Sequence, residues 1–471
     1  MMPLWSAREA ATATGGNAIG DWQAAGVSID SRSLVAGDLF VALVGPNFDG
    51  HNFVADALAK GAAAAVVTKR PDGLSEAAPL LVVADTQRAL EDLGRAARTR
   101  ALGRMIAVTG SVGKTGTKEA LKCALERQGR TFASSGSLNN QWGVPLSLAR
   151  MPRDSSYGVF ELGMNHPGEI EALSRLVRPE VSIITTIEPA HLGFFPSVEA
   201  IADAKAEIFI GTAPNGAAIL NQDNPYYERL AAAARARGIT RILGFGTNDA
   251  ASVRLVDCHL YATASAVTAA VMGEAIDYSI ALPGRHWVMN SLAVLAAVKA
   301  VGGDIGAAAL SMATLSALEG RGRRHRLAIP GGAIELIDES YNASPASMRA
   351  ALAVLGAIEP GPGGRRVAVL GSMLELGAES QRLHAELAKP LIEADVALVF
   401  TLGDEMRALD AALPAKRRGE HADNVAALIE LLGNRLKPND VVTVKGSHGS
   451  RLYELVAKLV SAKAPMLAAK G

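Results

Sequence analysis

The chain has 471 residues, more than one ordinary hydrophobic core accommodates, so we expect two to four domains. Hydrophobic residues make up 49% and charged residues 20%, and equal numbers of Lys+Arg and Asp+Glu (47 each) exclude a global field that would attract nucleic acid or anionic lipid. Two cysteines, Cys123 and Cys258, exclude a disulfide scaffold and a Cys-rich zinc site and are typical of a reducing compartment.

The N-terminal residues do not resemble a signal peptide, because Arg8 and Glu9 stand where an apolar core is needed. No apolar run approaches the ~20 residues that span a bilayer. We therefore expect a cytoplasmic protein that neither enters a membrane nor binds nucleic acid, and we expect it to be a monomer.

The chain divides into three predicted α/β units. Residues 1–85 form the first, with short β-type runs such as "DLFVALVG" and "AAAAVVTK" and no nucleotide loop of their own. Residues 86–102 have helical spacing and begin the second unit, residues 86–314. There the strands "MIAVTG", "YGVFELG", "EVSIITTI" and "AAILN" alternate with helices, which predicts a parallel, doubly wound sheet.

A second boundary falls near "LSALEGRGRR". Before it, a strand-rich stretch over residues 253–284 is followed by a helix at Asn290. After it, the β/α alternation restarts with "AIELID", "RRVAVLG", "DVALVFTLG" and "DVVTVKG". Residues 315–471 are therefore predicted to form the third α/β unit.

The stretch "AVTGSVGKTGTKEAL" runs from a predicted strand into a predicted helix, the setting of a phosphate loop. Lys114 would pair with the β- and γ-phosphates, and the Thr115 hydroxyl would bind Mg²⁺. Val108 occupies the place of the usual first glycine, which leaves the shorter G-x-x-G-K-T. The alternative is a glycine-rich turn with an accidental Lys-Thr pair. The residues expected to contact ATP here are Gly110, Ser111, Val112, Gly113, Lys114, Thr115 and Gly116.

Three further residues suggest a metal site. Glu161 ends an apolar strand, where a side chain faces the ligand crevice of a doubly wound sheet, although a capping or salt-bridged glutamate would fit as well. His191 follows another apolar strand, but a lone histidine is more often structural. Lys205 lies beside an apolar helical stripe, so it either extends to water or is carbamylated and able to hold a metal. The residues alone leave these alternatives open.

Together, several motifs resemble the Mur ligase family, the ATP-dependent amide-forming enzymes of peptidoglycan precursor synthesis. They occur in the family's order and cover most of the chain: "TGSVGKTGTKE", "NNQWGVPLSL", "FELGMNHPGEI", "AHLGFF" with "IADAKAEIF", "LPGRHWVMNSLAVLAA", "IDESYNASPASMRAAL", "VLGSMLELG" and "VKGS". "DESYNASPASM" with "LGSMLELG" is similar to the family member that adds D-alanyl-D-alanine to UDP-N-acetylmuramoyl-tripeptide. The lysine- and diaminopimelate-adding members differ in the C-terminal domain.

The resemblance implies a role for each domain. The first would bind the uridine end of the substrate, and the central P-loop domain would bind ATP and two Mg²⁺. The third, Rossmann-like but without G-x-G-x-x-G, would close over ATP and help to hold D-alanyl-D-alanine. The residues implied for the UDP-substrate site of the first domain are Ser31, Arg32, Asp49, Gly50 and His51.

The resemblance also implies catalytic and metal-binding roles. Lys114 matches the phosphate lysine, and Thr115, Glu161 and His191 match the family's metal ligands. Lys205 matches a position that is carbamylated in several relatives and would then be a further metal ligand.

Other matches concern ATP and the substrates. Asn139 and Asn140 are expected near the substrate phosphates or the second metal. The residues implied for ATP are Asn290, Arg323 and Asp338. Tyr341 and Asn342 are implied for the substrate, where the third domain meets the nucleotide.

Three positions depart from the family pattern. Trp287 follows His286 where the family often has His-Asn, which puts one adenine contact in doubt. Ser372 replaces an aspartate, and His448 stands where arginine is frequent. The last two concern the amine-acceptor site.

The implied reaction is amide formation through an acyl phosphate. Within the same class, another Mur ligase or a folylpolyglutamate synthase-like enzyme is the alternative. From a different class, a P-loop switch or regulatory ATPase would hydrolyse nucleotide without needing an amine acceptor.

Overall fold

The computed structural model describes residues 3–190 and 192–461. It contains three main β-sheets with helices packed against them, which confirms the predicted α/β class. The predicted boundaries at 85/86 and 314/315 remain predictions. Within the described ranges, no helix combines the length and apolar character needed to cross a membrane.

The N-terminal unit is built on a five-stranded sheet of order β2-β9-β8-β5-β4, parallel except where β2 meets β9. Its strands are β1 (Trp5–Ser6), β2 (Asn17–Ile19), β3 (Gln23–Ala24), β4 (Gly26–Ser28), β5 (Asp38–Val41), β6 (Val44–Gly45), β7 (Phe48–Asp49), β8 (Ala64–Val67) and β9 (Leu80–Val82). Its helices are α1 (Ala7–Thr14) and α2 (Val54–Ala59), followed by the connecting helix α3 (Thr86–Arg100). The Asp85 side chain caps α3 by accepting a hydrogen bond from the Arg88 N–H.

The central unit contains a nine-stranded sheet of order β11-β12-β10-β13-β14-β15-β16-β17-β18. Its strands are β10 (Arg104–Thr109), β11 (Thr131–Ala133), β12 (Tyr157–Glu161), β13 (Val181–Ile184), β14 (Ala217–Asn221), β15 (Arg241–Gly246), β16 (Val253–Leu260), β17 (Ser265–Val271) and β18 (Glu274–Ile280). Its helices are α4 (Lys114–Glu126), α5 (Gly143–Arg150), α6 (Glu169–Val177), α7 (Val198–Ala206), α8 (Tyr227–Ala236), α9 (Arg285–Ala300) and α10 (Ile305–Met312). The strands run parallel from β11 to β16, and β17 and β18 add an antiparallel extension.

Two hydrophobic clusters cover the two faces of this central sheet. One includes Ile106 and Val108 with helices α4 and α9, and the other includes Met105 and Ala107 with α5 and α6. Strand β10 is therefore buried on both faces, as its unbroken apolar run "MIAV" predicts for a central parallel strand. This burial holds the loop after β10 in a fixed position.

The C-terminal unit contains a six-stranded sheet of order β19-β20-β24-β21-β22-β23, parallel except for the β19–β20 pair. Its strands are β19 (Arg323–Ile329), β20 (Gly332–Glu339), β21 (Arg366–Gly371), β22 (Leu398–Leu402), β23 (Arg418–Ala422) and β24 (Val441–Lys445). Its helices are α11 (Pro345–Gly356), α12 (Ser380–Ala385), α13 (Ala388–Glu393), α14 (Arg407–Ala412), α15 (Val425–Arg435) and α16 (Leu452–Ser461). The carboxyl ends of β20 and β24 line the cleft that faces the central unit.

Candidate active site

The loop between β10 and α4 has the backbone of a phosphate cradle. Gly110 and Gly113 adopt φ values of +147° and +87°, which favour glycine. A Cβ at Gly110 would also overlap the Thr185 hydroxyl. Helix α4 begins at Lys114, so its first N–H groups and positive dipole end face the same space as the loop. The local structure therefore supports the phosphate-loop interpretation of this segment.

Lys114 lies inside this cradle, where its Nζ donates a hydrogen bond to the Gly110 carbonyl at 2.8 Å. Burial lowers the pKa of Lys114, while the Glu161 carboxylate acts in the opposite direction. The lysine is thus held close to the loop with limited solvation. A phosphate bound there would supply the anionic partner that stabilises its charged form.

Thr115 and Glu161 meet at the centre of the cleft. The Thr115 hydroxyl donates to Glu161 Oε2 at 2.7 Å, and the Asn139 amide donates to Oε1 at 2.8 Å. The parallel pairing of β10 with β12 brings Glu161 to the level of Val108, just before the phosphate loop. Sequence reasoning expected these two metal-site residues to converge at this edge, and the structure brings them together.

Among the described residues, Glu161 forms no ion pair. The residue is only 2% exposed, and within residues 3–190 and 192–461 no lysine, arginine or histidine nitrogen lies within 4.0 Å of its carboxylate. A buried carboxylate that contacts only neutral donors is costly. Hydroxyl and carboxylate oxygens are the ligands that Mg²⁺ prefers, so Thr115 and Glu161 fit a magnesium ion.

Lys205 lies on α7 and is only 1% exposed. Burial, and next to it the positive charge of Lys114, lowers the pKa of Lys205 well below its usual value. Among the described residues no carboxylate is within 4.0 Å of its Nζ. This setting disfavours the ammonium form. The third expected metal ligand of this group, His191, lies outside the described residues.

Residues near the start of α9 line the cleft beside the phosphate loop. The Asn290 carboxamide approaches Gly113, where an added Cβ would lie 2.9 Å from its Oδ1. The Trp287 indole packs against Gly116, where an added Cβ would lie 2.9 Å from the indole ring. His286 lines the cleft, and burial, with a smaller effect of Lys445, lowers its pKa to about 4, so the ring is neutral at physiological pH. Trp287, which follows His286 where the family often has asparagine, thus packs on helix α4 after the phosphate loop.

The third domain contributes Arg321 to the cleft. Arg321 lines it and places its guanidinium 4.2 Å above the ring of Tyr341. Arg323, which the sequence pattern suggested, is exposed at the start of β19 and is not among the cleft-lining residues. Asp338 is buried and accepts hydrogen bonds from the Gly320 N–H and from Ser340. It therefore holds the turn that carries Arg321.

Around Tyr341, the third domain supplies further polar groups. Lys445 Nζ donates to the Asn342 carbonyl at 2.9 Å and forms an ion pair with Glu339 at 3.5 Å. The His448 ring lies 6.0 Å from Tyr341, edge to face. Sequence reasoning named Tyr341 and Asn342, and both line the cleft. It did not name Lys445, which also lines the cleft. The position of Lys445 at the end of the parallel strand β24 could have identified it.

The neighbours Asn139 and Asn140 have different surroundings. Asn139 faces Glu161, as described above. Asn140 Oδ1 instead accepts hydrogen bonds from the N–H groups of Trp142 and Gly143 at the start of α5, and Asn140 is not among the cleft-lining residues. In the structure, Asn140 therefore stabilises a helix terminus.

The candidate uridine-site residues lie in the N-terminal unit and do not line this cleft. His51 Nε2 accepts from the Thr68 N–H, so its Nδ1–H donates to Asp49 at 2.7 Å. Gly50 begins the short turn between them and is buried against the backbone of residues 42–43. Asp49, Gly50 and His51 thus form one preorganised group.

Ser31 and Arg32 form a second group on the same unit. The Lys60 Nζ donates to the Ser31 carbonyl at 3.0 Å. Arg32 pairs with Asp30 and lowers the pKa of that carboxyl to about 2, although the guanidinium is largely exposed. The exposed guanidinium of Arg32, although paired with Asp30, lies beside the buried Ser31 on the surface of this unit.

The cleft between the central and third units has a volume of about 660 Å³. The Gly193 N–H donates to the Glu375 carbonyl at 2.8 Å, and Arg349 lies 3.6 Å from Glu188. These contacts join the two units beside the phosphate loop. The phosphate loop thus faces cationic side chains of the third unit across this cleft, an arrangement that is typical of nucleotide-dependent transferases and ligases.

Family models match three consecutive parts of the chain. The Mur ligase family catalytic domain matches residues 23–100, the Mur ligase middle domain residues 108–298, and the Mur ligase glutamate ligase domain residues 322–448. The chain belongs to the Mur ligase family.

Individual relatives identify the branch of the family. The UDP-N-acetylmuramoyl-tripeptide–D-alanyl-D-alanine ligase of Escherichia coli is 37% identical over 436 residues, covering 92% of this chain and 93% of the relative. The crystal structure of MurF from Acinetobacter baumannii superposes with a TM-score of 0.84 at 31% identity, covering 97% of this chain and 99% of that one. MurF from Thermotoga maritima, solved in complex with ADP, gives 0.77 at 26% identity, covering 94% and 97%.

Proposed function

We propose that this chain is an ATP-dependent ligase that joins D-alanyl-D-alanine to the terminal carboxylate of UDP-N-acetylmuramoyl-tripeptide, giving the pentapeptide precursor of peptidoglycan. The observation that carries the proposal is the cleft in which the phosphate loop and Glu161 face Arg321, Tyr341 and Lys445 of the third domain. The near full-length similarity to relatives of that name supports the choice of substrates.

Amide formation in water requires an activated acyl group, and ATP supplies it. The tripeptide carboxylate attacks the γ-phosphorus, and ADP leaves, giving an acyl phosphate. The amine of D-alanyl-D-alanine then attacks the acyl carbon, and the tetrahedral intermediate collapses to the amide and phosphate. The attacking amine loses one N–H proton in this step, and the departing phosphate or water accepts it.

The first step brings a carboxylate to a triphosphate. At about 4 Å and an effective dielectric of about 20, each pair of like unit charges costs about 4 kcal/mol. Lys114 and the N–H groups of the loop are preorganised to offset this repulsion. Arg321 approaches from the opposite wall, and we assign to it the contact with ATP that the sequence pattern assigned to Arg323.

Mg²⁺ bound at this edge would supply further positive charge to the phosphates. The side chains that would hold it are Thr115 and Glu161, and His191 is expected to join them. The role of Asn139 is to orient the Glu161 carboxylate through its amide hydrogen bond. Two such ions remain the expectation for this family.

We also propose that Lys205 is carbamylated. Its neutral Nζ would attack the carbon of CO₂, forming an N–C bond as one C–O π bond breaks. The nitrogen would then lose a proton to water, giving a carbamate anion. The lowered pKa supplies the neutral amine, and in the described part of the chain no carboxylate within 4.0 Å of Nζ would repel the new anion. The carbamate would then be a further metal ligand.

The acyl phosphate must be kept from water, which the third domain would achieve by closing over it. Tyr341 and Asn342 are proposed to contact substrate at this boundary, and Asn290 the adenine. The N-terminal groups around Ser31 and His51 are proposed to hold the UDP end. We expect the protein to act as a cytoplasmic monomer, which sedimentation would test.

The decisive experiment is an assay of phosphate release with purified protein, ATP, Mg²⁺ and UDP-tripeptide, with and without D-alanyl-D-alanine. Both the lysine- and the diaminopimelate-containing tripeptides are tested. Release that depends on the dipeptide, with a matching mass for the pentapeptide, is expected. Release that is independent of any acceptor would favour a regulatory ATPase, and release with a different amine would favour another ligase of the family.

A further inference from the structure

Lys118 is a buried cation that the proposed reaction does not use. It lies on α4, one turn after the phosphate loop, and its side chain is 0% exposed. Long basic side chains are rarely buried without a specific set of acceptors. The acceptors around Lys118 therefore indicate what the residue does.

Its ammonium group has three partners. Nζ donates to the Ser134 carbonyl at 2.6 Å and to the Gly136 carbonyl at 3.0 Å, and it lies 2.9 Å from Glu119 Oε1. Two of these acceptors are main-chain groups of one loop, the segment between β11 and α5. Lys118 thus fastens that loop to the phosphate-loop helix.

The same loop reaches Glu161 at both of its ends. At its start, the Ser134 hydroxyl accepts a hydrogen bond from the Glu161 N–H at 3.3 Å. At its end, the Asn139 amide donates to Glu161 Oε1, and the Asn139 carbonyl accepts from the Gly163 N–H, each at 2.8 Å. The course of the loop between these points decides where the Asn139 amide lies.

We propose that Lys118 is a positioning residue for the reaction: by holding the carbonyls of Ser134 and Gly136, it fixes the loop that orients Asn139 against the Glu161 carboxylate. The inference rests on the proposed function for its consequence in catalysis. Among the described residues, Lys118 does not line the cleft, and its ammonium group contacts neither Thr115 nor Glu161, so it acts through the loop.

Two substitutions at Lys118 test whether its hydrogen-bond donors or its positive charge hold the loop. Lys118→Met keeps most of the buried volume but removes the donors, and Lys118→Arg keeps a cation with displaced donors. Lys122→Met, one turn further along α4, is the matched control, because Lys122 is 42% exposed and lies 3.6 Å from Glu126. Thermal unfolding and circular dichroism verify that each variant is folded.

The first measurement is hydrogen–deuterium exchange of the loop. The N–H groups of Leu138 and Asn139 donate within the loop, to the carbonyls of Ser135 and Ser137. Faster exchange of residues 135–140 in Lys118→Met, with unchanged exchange of the β10 segment, is expected. Wild-type exchange in a folded Lys118→Met variant would overturn the proposal.

The second measurement uses Mn²⁺ as the probe, followed by electron paramagnetic resonance in the presence of a non-hydrolysable ATP analogue. Loss of an outer positioning group typically weakens metal binding about tenfold or more, and we expect that for Lys118→Met and a smaller loss for Lys118→Arg. Lys122→Met should bind as the wild type does. Unchanged Mn²⁺ affinity in both Lys118 variants would contradict the positioning role.

A double variant tests the route through Asn139. If Lys118 acts through that amide, Lys118→Met combined with Asn139→Ala binds Mn²⁺ no more weakly than Asn139→Ala alone. Additive losses, or failure of both Lys118 variants to fold, would assign Lys118 a purely structural role and overturn the proposal. Dipeptide-dependent turnover of the wild type is measured in parallel, so a failure of the proposed function is seen separately from the loop and Mn²⁺ results.

Discussion

The hydroxyl of Thr115 donates a hydrogen bond to the carboxylate of Glu161 at 2.7 Å, which joins the first turn of α4 to the end of β12. The two residues are 46 positions apart in the chain and meet because β10 and β12 are neighbouring parallel strands. This contact brings the phosphate loop and the negative charge of Glu161 into one crevice. Its chemistry leads to the first prediction.

Replacing Glu161 by glutamine should abolish most ligase activity without unfolding the protein. Glutamine keeps the shape and the hydrogen bond from Thr115 but removes the charge that would hold Mg²⁺, so we expect kcat to fall about 100-fold or more. The thermal midpoint should not fall, because the buried carboxylate has no balancing cation within 4.0 Å among the described residues. Steady-state kinetics and calorimetry check this, with the exposed Glu126→Gln as control. Near-normal turnover of Glu161→Gln would contradict the metal assignment.

Lys205→Ala should lose most activity, and high bicarbonate or a short-chain carboxylic acid should partly restore it. The added acid would occupy the space of the proposed carbamate and replace its anionic oxygens. Independently, ¹³C NMR of the wild type in labelled bicarbonate should show a carbamate signal that is missing in Lys205→Ala. Full turnover of Lys205→Ala, or the same NMR signal in both proteins, would count against the modification.

Arg321 and Arg323 form a natural pair of variants. Arg321→Met should raise the KM for ATP about tenfold, the equivalent of one charge-assisted contact of about 1.5 kcal/mol. Arg323→Met should behave almost like the wild type, since that side chain is exposed outside the cleft. ATP titrations at saturating acceptor distinguish the two. The opposite ranking would restore the assignment suggested by the sequence pattern.

His286 should make the protein less stable in mild acid. Burial lowers its pKa to about 4 in the folded state, whereas the unfolded value is about 6.5, so the unfolded chain binds the proton more tightly. The stabilising effect of the neutral ring is complete above pH 6.5 and is lost as the pH falls toward 4, up to about 3 kcal/mol.

Denaturant titrations between pH 7 and pH 4 measure this dependence. His286→Gln should lose less stability than the wild type over this range, and the exposed His259→Gln should follow the wild type. Identical pH profiles for the wild type and His286→Gln would show that another group is responsible.

The phosphate loop and the α/β class follow from the sequence because their determinants are local. A strand, a glycine-containing turn and a helix are contiguous around Gly110–Lys114, and short-range periodicity identifies each of them. Glu161 also follows from a simple rule, since carboxyl ends of parallel strands share one edge of the sheet.

Other assignments depended on the tertiary structure. Asn139 and Asn140 are chemically identical neighbours, yet their side chains have different partners, because the loop between β11 and α5 turns between them. Asn139 faces Glu161, whereas Asn140 accepts hydrogen bonds from the N–H groups of Trp142 and Gly143 at the start of α5. Whether Arg321 or Arg323 reaches the cleft is likewise decided by the turn before β19, which Asp338 holds from the neighbouring strand. The sequence by itself determined the kinds of groups present and the loop that is predicted to bind phosphate. The packing of distant segments decided which donors, acceptors and charges meet, because burial and hydrogen-bond partners depend on contacts that no local pattern records.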